Sequence, residues 1–273
     1  MSGAEARTVT AAVATTAEVL DHPELHEGLL APWELRRLDA IRVPARRADV
    51  VAARLLLRLC VARCTGRPPG EAAPAQHCPG CGRYGHGRPY LPDRPDLGIS
   101  LSHADGLVAA AVGPGAVGID VEPAARRPGP PSTLGRMLPE AAVREAAAAP
   151  DPEAALLRLW VRGEALFKAG QARIDEAGES GLTTLEWTDR SRAAVVALAG
   201  PAPLRALSVF PAVSVFPDLS VFPALSVLRV PEGQSAIQSP PSEPSREIRT
   251  MTAKTEAKAS PGVANSMTTP AAR

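Results

Sequence analysis

The sequence predicts an α+β fold, on three observations. Residues 32–62 carry a helical period, with Trp33, Leu35, Leu38 and Ile41 leading to Val50, Val51, Leu55, Leu56, Leu59 and Val61 among arginines. Residues 97–101, 107–112 and 116–121 are short apolar runs of strand length. Residues 139–149 and 152–169 are again helical, followed by strand-like runs at 182–187 and 193–199.

The elements follow in order. Residues 1–30 give weak signals and lead through Asp21-His22-Pro23-Glu24, a loop or turn. Pro44 splits residues 32–62 into two amphipathic helices, since proline is tolerated in a first helical turn and not in the interior. Residues 65–95 are rich in Gly and Pro and hold Cys78-Pro79-Gly80-Cys81. Ser100-Leu101-Ser102-His103-Ala104-Asp105-Gly106 reads as a polar turn between two strands. Pro139 starts the next helix. After Leu207 the character changes: Ser208-Val209-Phe210-Pro211 recurs from Ser214 and Ser220, and a degenerate copy starts at Ser226. A proline every six residues excludes a long helix or a central strand, and three copies are few for a repeat fold. From Glu232 onward Ser, Thr, Pro and Ala dominate. The folded part is therefore expected to end near 207, with a disordered tail beyond it.

Composition removes several function classes. With 30 basic and 29 acidic residues there is no basic excess to hold nucleic acid. The aromatic fraction of 3% leaves little for base-stacking platforms. The most apolar stretch, 107–119, is broken by Gly113, Pro114 and Gly115 and is too short to cross a bilayer. Residues 1–20 lack the basic start and apolar run of a secretory signal, so a cytoplasmic protein with reduced thiols is expected. Lysine occurs only at 168, 254 and 258, every other basic side chain being arginine, which singles out Lys168.

Three stretches carry chemistry. In Gly118-Ile119-Asp120-Val121-Glu122 the strand period places both carboxylates on one face. Hard oxygen donors of this kind suit Mg²⁺; the alternative is a strand end with two solvated acids. In the stretch from Trp160 to Lys168, Glu164 and Lys168 share a helix face, as a third carboxylate beside a cation or as an ordinary surface pair. Ser102 and His103 offer a hydroxyl and an imidazole, but no G-x-S-x-G elbow accompanies them, which disfavours a serine hydrolase.

Taken together, these motifs resemble the 4′-phosphopantetheinyl transferases of the surfactin-synthetase-activator type. That family pairs a G-[IV]-D-x-E stretch with W-x-x-K-E-[AS]-x-x-K about forty residues later, here at Gly118 and Trp160. It also has an upstream Ser-His, here Ser102-His103, and a Gly-[Lys/Arg]-Pro-Tyr segment, here Gly87-Arg88-Pro89-Tyr90. The resemblance covers roughly residues 30–207. It implies two similar lobes, 1–105 and 106–207, with coenzyme A and Mg²⁺ in the cleft and the repeat and tail at 208–273. It implies transfer of 4′-phosphopantetheine from coenzyme A to a serine of an acyl or peptidyl carrier protein of a polyketide, nonribosomal peptide or fatty-acid synthase, by a monomer, with release of 3′,5′-ADP. Asp120, Glu122 and Glu164 would hold Mg²⁺, and Ser102 and His103 would contact the diphosphate. Lys168 would lie near the reacting phosphate. Glu164, or a water on the metal, would take the serine proton. Arg46, Arg47, Arg54 and Arg88 are candidates for the 3′-phosphate, which arginine binds bidentately.

One position departs from the family. Gly163 stands where the family has lysine, which removes a cation and sets glycine inside a helix at about 1 kcal/mol relative to alanine. Greater flexibility at 163 is the expected result. The cysteines support a competing reading, a zinc-binding interaction protein without transferase activity. Cys78-x2-Cys81 is a zinc half-site, with His77 and His86 adjacent, whereas Cys60 and Cys64 lie in a helical run where they fit as small apolar residues.

Overall fold

The computed structural model describes residues 8–78, 80–130, 134, 138–171, 181–201 and 203–207. They belong to one compact unit, Met1–Pro217. The expected repeat and disordered tail, 208–273, lie outside the described residues.

The chain begins with β1 (Val9–Thr15) and α1 (Thr16–Leu20), then α2 (Pro32–Asp39) and α3 (Pro44–Thr65). Both α2 and α3 open on a proline, and Gly66 ends α3 in the left-handed conformation, φ 73°. Short strands β2 (Ala75–His77) and β3 (Arg88–Tyr90) precede the hairpin of β4 (Leu97–Ala104) and β5 (Leu107–Pro114). Then come β6 (Gly118–Pro123), α4 (Glu140–Ala147), α5 (Pro152–Ala169), β7 (Thr183–Asp189), β8 (Ala194–Gly200) and β9 (Leu204–Leu207). The chain is thus mixed α+β, as its sequence pattern predicts.

Two sheets form. One has the order β2-β3-β4-β5-β1-β9, the other β6-β8-β7. Strands β1 and β5 pair antiparallel within the larger sheet, and β9 adds parallel to β1 at its edge. The lobe boundary expected at 105/106 falls in the two-residue turn of the β4–β5 hairpin, whose strands pair from Leu97↔Pro114 to Ala104↔Leu107. The larger sheet also takes back β9 from the end of the described chain.

Side-chain alternation stacks these pieces in layers. Ala12, Ala14, Val108, Ala110 and Val112 face α3, packing with Val51, Leu55, Leu56 and Leu59. The opposite face, with Val9, Ala11, Ala109 and Ala111, packs on Ile119, Val121, Val196 and Leu198 of the smaller sheet. The outer face of that sheet, Val195, Ala197 and Ala199, meets Leu157, Val161, Ala165 and Ala169 of α5. The order is therefore α3, larger sheet, smaller sheet, α5. A buried ion cluster joins α2 to α3: Glu34, 1% exposed, accepts from Arg54 Nη1 at 2.7 Å and is paired with Arg58.

Candidate functional site

The site is built where β6 lies between β4 and α5. Gly118, Asp120 and Glu122 occupy the α5 face of β6, while Ile119 and Val121 point into the inter-sheet core. Gly118 sets the spacing: a Cβ there would lie 1.9 Å from the Ala165 carbonyl oxygen and 2.5 Å from the Ala169 nitrogen. Only glycine lets α5 approach this closely. The close approach brings Lys168 Nζ to 2.6 Å from Asp120 Oδ1.

Strand β4 supplies the other wall. Ile99 and Leu101 face α3, which turns Ser100 and Ser102 toward β6. Strand β6 is an edge strand, and its Ile119 N–H donates to Ser100 Oγ at 3.1 Å. Ser102 Oγ donates to Asp120 Oδ1 at 2.7 Å and accepts from Lys168 Nζ at 3.0 Å. Sequence reasoning placed Ser102 and His103 in a turn; they lie in β4, and the turn is only Asp105 (φ 45°) and Gly106 (φ 87°). An Asp-Gly pair with both φ positive is the favoured two-residue hairpin connection.

The electrostatics follow from burial. Asp120 and Glu122 are 6% and 9% exposed. Desolvation, then the charge of Asp120, push the Glu122 carboxyl up to about 7, against the pull of Arg126 and Lys168. Arg126 Nη1 lies 2.9 Å from Glu122 Oε2, an ion-pair contact outside hydrogen-bond alignment, so that oxygen is buried with no hydrogen bond. Arg126 escaped sequence reasoning because its position depends on the turn after β6, closed by Arg126 N–H to Pro123 O at 2.9 Å. His103 is held below the ordinary imidazole range by burial, then by Lys168, with Arg46 and Arg54 adding to this and Asp49 opposing it.

Glu164 sits one turn before Lys168 on α5 and is half-buried. Arg88 follows the Cys78–Gly87 loop, and its Nη1 would lie 2.8 Å from a Cβ at Gly170, the left-handed residue that ends α5. Arg46 is among the cations acting on His103. Arg47 is bidentate to Glu27 at 2.7 Å on the surface. Arg54 is buried against Glu34, with its guanidinium 5.0 Å from the Trp33 ring centroid. Gly163 is buried inside α5. Neighbouring Arg162 pairs with Glu186 on β7 at 3.3 Å.

Cys60 is wholly buried, and burial pushes its thiol up to about 12. Cys64 packs against the α3 core. Cys78, Cys81 and His86 instead come together, with their ligand atoms all within 4.8 Å of one another. No helix among the described residues is long and apolar enough to cross a membrane.

No curated protein matches the chain. Residues 116–209, which contain β6, α5 and the three carboxylates Asp120, Glu122 and Glu164, match the family model of the 4′-phosphopantetheinyl transferase superfamily.

Proposed function

We propose that the protein transfers 4′-phosphopantetheine from coenzyme A to a serine of an acyl or peptidyl carrier protein, releasing 3′,5′-ADP. The observation that carries this reading is the meeting of Asp120, Glu122 and Lys168 at the β6–α5 contact, inside the segment matching the superfamily. In this reading residues 1–105 and 106–207 are the two lobes, and the protein works as a monomer in the cytoplasm.

The donor set fits a divalent cation. Two buried carboxylates share one face, and Glu122 Oε2 is an orphaned buried oxygen. Asp120, Glu122 and Glu164 are hard oxygen donors of the kind Mg²⁺ takes. When bound, Mg²⁺ supplies charge neutralisation for the coenzyme A diphosphate. The chain's own residues do the rest. Lys168, already beside Asp120, offers its ammonium to the reacting phosphate. Ser102 and His103 bind the diphosphate from β4, with His103 as a neutral donor. Arg46, Arg47, Arg54 and Arg88 are the candidates for the 3′-phosphate, and Arg47 and Arg54 would have to be shared with Glu27 and Glu34. Glu164 takes the proton of the carrier serine.

The test is incubation with coenzyme A, Mg²⁺ and a panel of apo carrier proteins from polyketide, nonribosomal peptide and fatty-acid synthases, read by mass spectrometry. The expected result is a phosphopantetheine adduct on at least one carrier, lost in Asp120→Ala, Glu122→Ala and Glu164→Ala proteins that remain folded. No adduct on any carrier, or near-normal turnover by Asp120→Ala, overturns the reading. A zinc-binding interaction protein without transferase activity, the reading that draws on Cys78, Cys81 and His86, gives no adduct in this assay.

A further inference from the structure

The loop between β2 and β3 stands apart from the carboxylates and has its own chemistry. Its sequence is Cys78-Pro79-Gly80-Cys81-Gly82, and the backbone of Cys78, Gly82 and Arg83 closes a knuckle. Cys78 N–H donates to Arg83 O at 2.9 Å, and Gly82 N–H donates to Cys78 O at 2.8 Å. Gly82 takes a φ of 67°, which glycine adopts without strain.

His86 is folded back onto this knuckle. Gly85 and Gly87 flank it with φ of 87° and 90°. A Cβ on Gly87 would lie 2.4 Å from His77 O and 2.7 Å from Cys78 Cα, so the histidine segment presses directly on the first cysteine. Cys81 Sγ and His86 Nε2 are 3.2 Å apart. Tetrahedral zinc with Zn–S of about 2.3 Å and Zn–N of about 2.0 Å has ligand-to-ligand edges of about 3.5–3.8 Å. The three ligand atoms, all within 4.8 Å of one another, can close onto that polyhedron by side-chain movement.

We propose that Cys78 Sγ, Cys81 Sγ and His86 Nε2 bind one zinc ion. Two thiolates and a neutral imidazole are the soft and borderline donors zinc favours over Mg²⁺. Binding releases the two thiol protons and leaves the Zn(Cys)₂(His) unit neutral. Among the described residues no fourth His, Cys, Asp or Glu joins the group, so water takes the fourth position on the side where Cys81 is exposed. The ion fixes the 78–87 loop. This loop docks on α2 through the Arg37 guanidinium, which donates to Gly85 O, and it leads directly into Arg88 beside Gly170.

The test uses the full chain, produced with zinc and purified without chelator. Elemental analysis is expected to find about one zinc per chain in the wild type and in Cys60→Ser and Cys64→Ser, and less than a tenth of that in Cys81→Ser and His86→Ala. Cys81 is exposed, so its variant is expected to fold even if Cys78→Ser does not. Cobalt in place of zinc should give tetrahedral d–d bands with thiolate charge transfer, absent in Cys81→Ser. Tryptic cleavage after Arg83, followed by mass spectrometry, should be about tenfold slower with zinc bound than after chelation. Three results each overturn the proposal. They are wild type without zinc or cobalt bands, full zinc content in both Cys81→Ser and His86→Ala, and a Cys78–Cys81 disulfide in protein alkylated at lysis. None of these readouts depends on transferase activity.

Discussion

Asp120 and Glu122 occupy equivalent places two residues apart, yet the structure treats them differently. Asp120 receives Lys168 and Ser102, whereas Glu122 faces Arg126 out of hydrogen-bond alignment. Its carboxyl is pushed up to about 7 from 4.5, first by burial and then by Asp120. The sign follows. Between about pH 4.5 and 7 the native state binds a proton that the unfolded state has lost, so stability falls as pH rises through that window. In chelated buffer, Glu122→Gln should therefore be more stable than wild type at pH 8, by up to about 2–3 kcal/mol, and equal to it near pH 4. Urea melts at the two pH values check this, and an unchanged difference between them would contradict it. Lys168→Met removes the partner of a carboxylate whose side chain is 8% exposed. It should cost about 1–3 kcal/mol of stability and lower phosphopantetheine transfer about 10²–10³-fold. Melts and single-turnover transfer measure the two effects separately.

At the scale of elements, the helix α5 is useful to the site only because Gly118 lets it sit on β6. Gly118→Ala should push the helix away, destabilise the chain by about 3 kcal/mol and break the Lys168–Asp120 contact. Gly163→Ala, in the same helix, should add up to about 1 kcal/mol from helix propensity. A loss at 163 would show that close packing requires glycine there. The sequence revealed a good part of this. Proline at the first turn marked α2 and α3, and the period of two put both carboxylates on one face of β6. It did not reveal β1, because Val9-Thr10-Ala11-Ala12-Val13-Ala14-Thr15 is alanine-rich, and alanine signals a strand poorly. Burial on both sides makes it a strand all the same. Nor did it reveal β9, four residues whose partner lies at the other end of the folded chain. The Lys168–Asp120 contact and the capping of Ile119 by Ser100 arise from packing between elements distant in sequence. No local period encodes either one.

At the scale of the molecule, the ends of the described chain close the structure. Strand β9 lies beside β1, from Val9↔Leu204 to Ala12↔Leu207, and Val9 N–H also donates to Pro203 O at 3.0 Å. Leu204 packs against the inter-sheet core. Nearby, Arg192, at the β7–β8 turn, is bidentate to Glu18 of α1 at 2.7 Å and reaches Asp189 at 2.8 Å, so the first helix and the last hairpin hold each other. The layers thus depend on residues up to 207, and two truncations separate this dependence from any role of the Phe-Pro repeat. A chain ending at Leu207 keeps every one of these contacts, and its melting temperature and transfer activity should stay close to those of the full chain. A chain ending at Gly200 loses the parallel pairing, exposes the edge of β1 and uncovers the core beneath Leu204. For a domain of this size each kcal/mol is worth about 2–4 °C, so the loss of one partly buried leucine and a short ladder should lower the melting temperature by about 5–10 °C. Scanning calorimetry on the three lengths reads both effects. If the chain ending at Leu207 melts as low as the one ending at Gly200, the repeat packs on the core, and β9 alone does not close the fold.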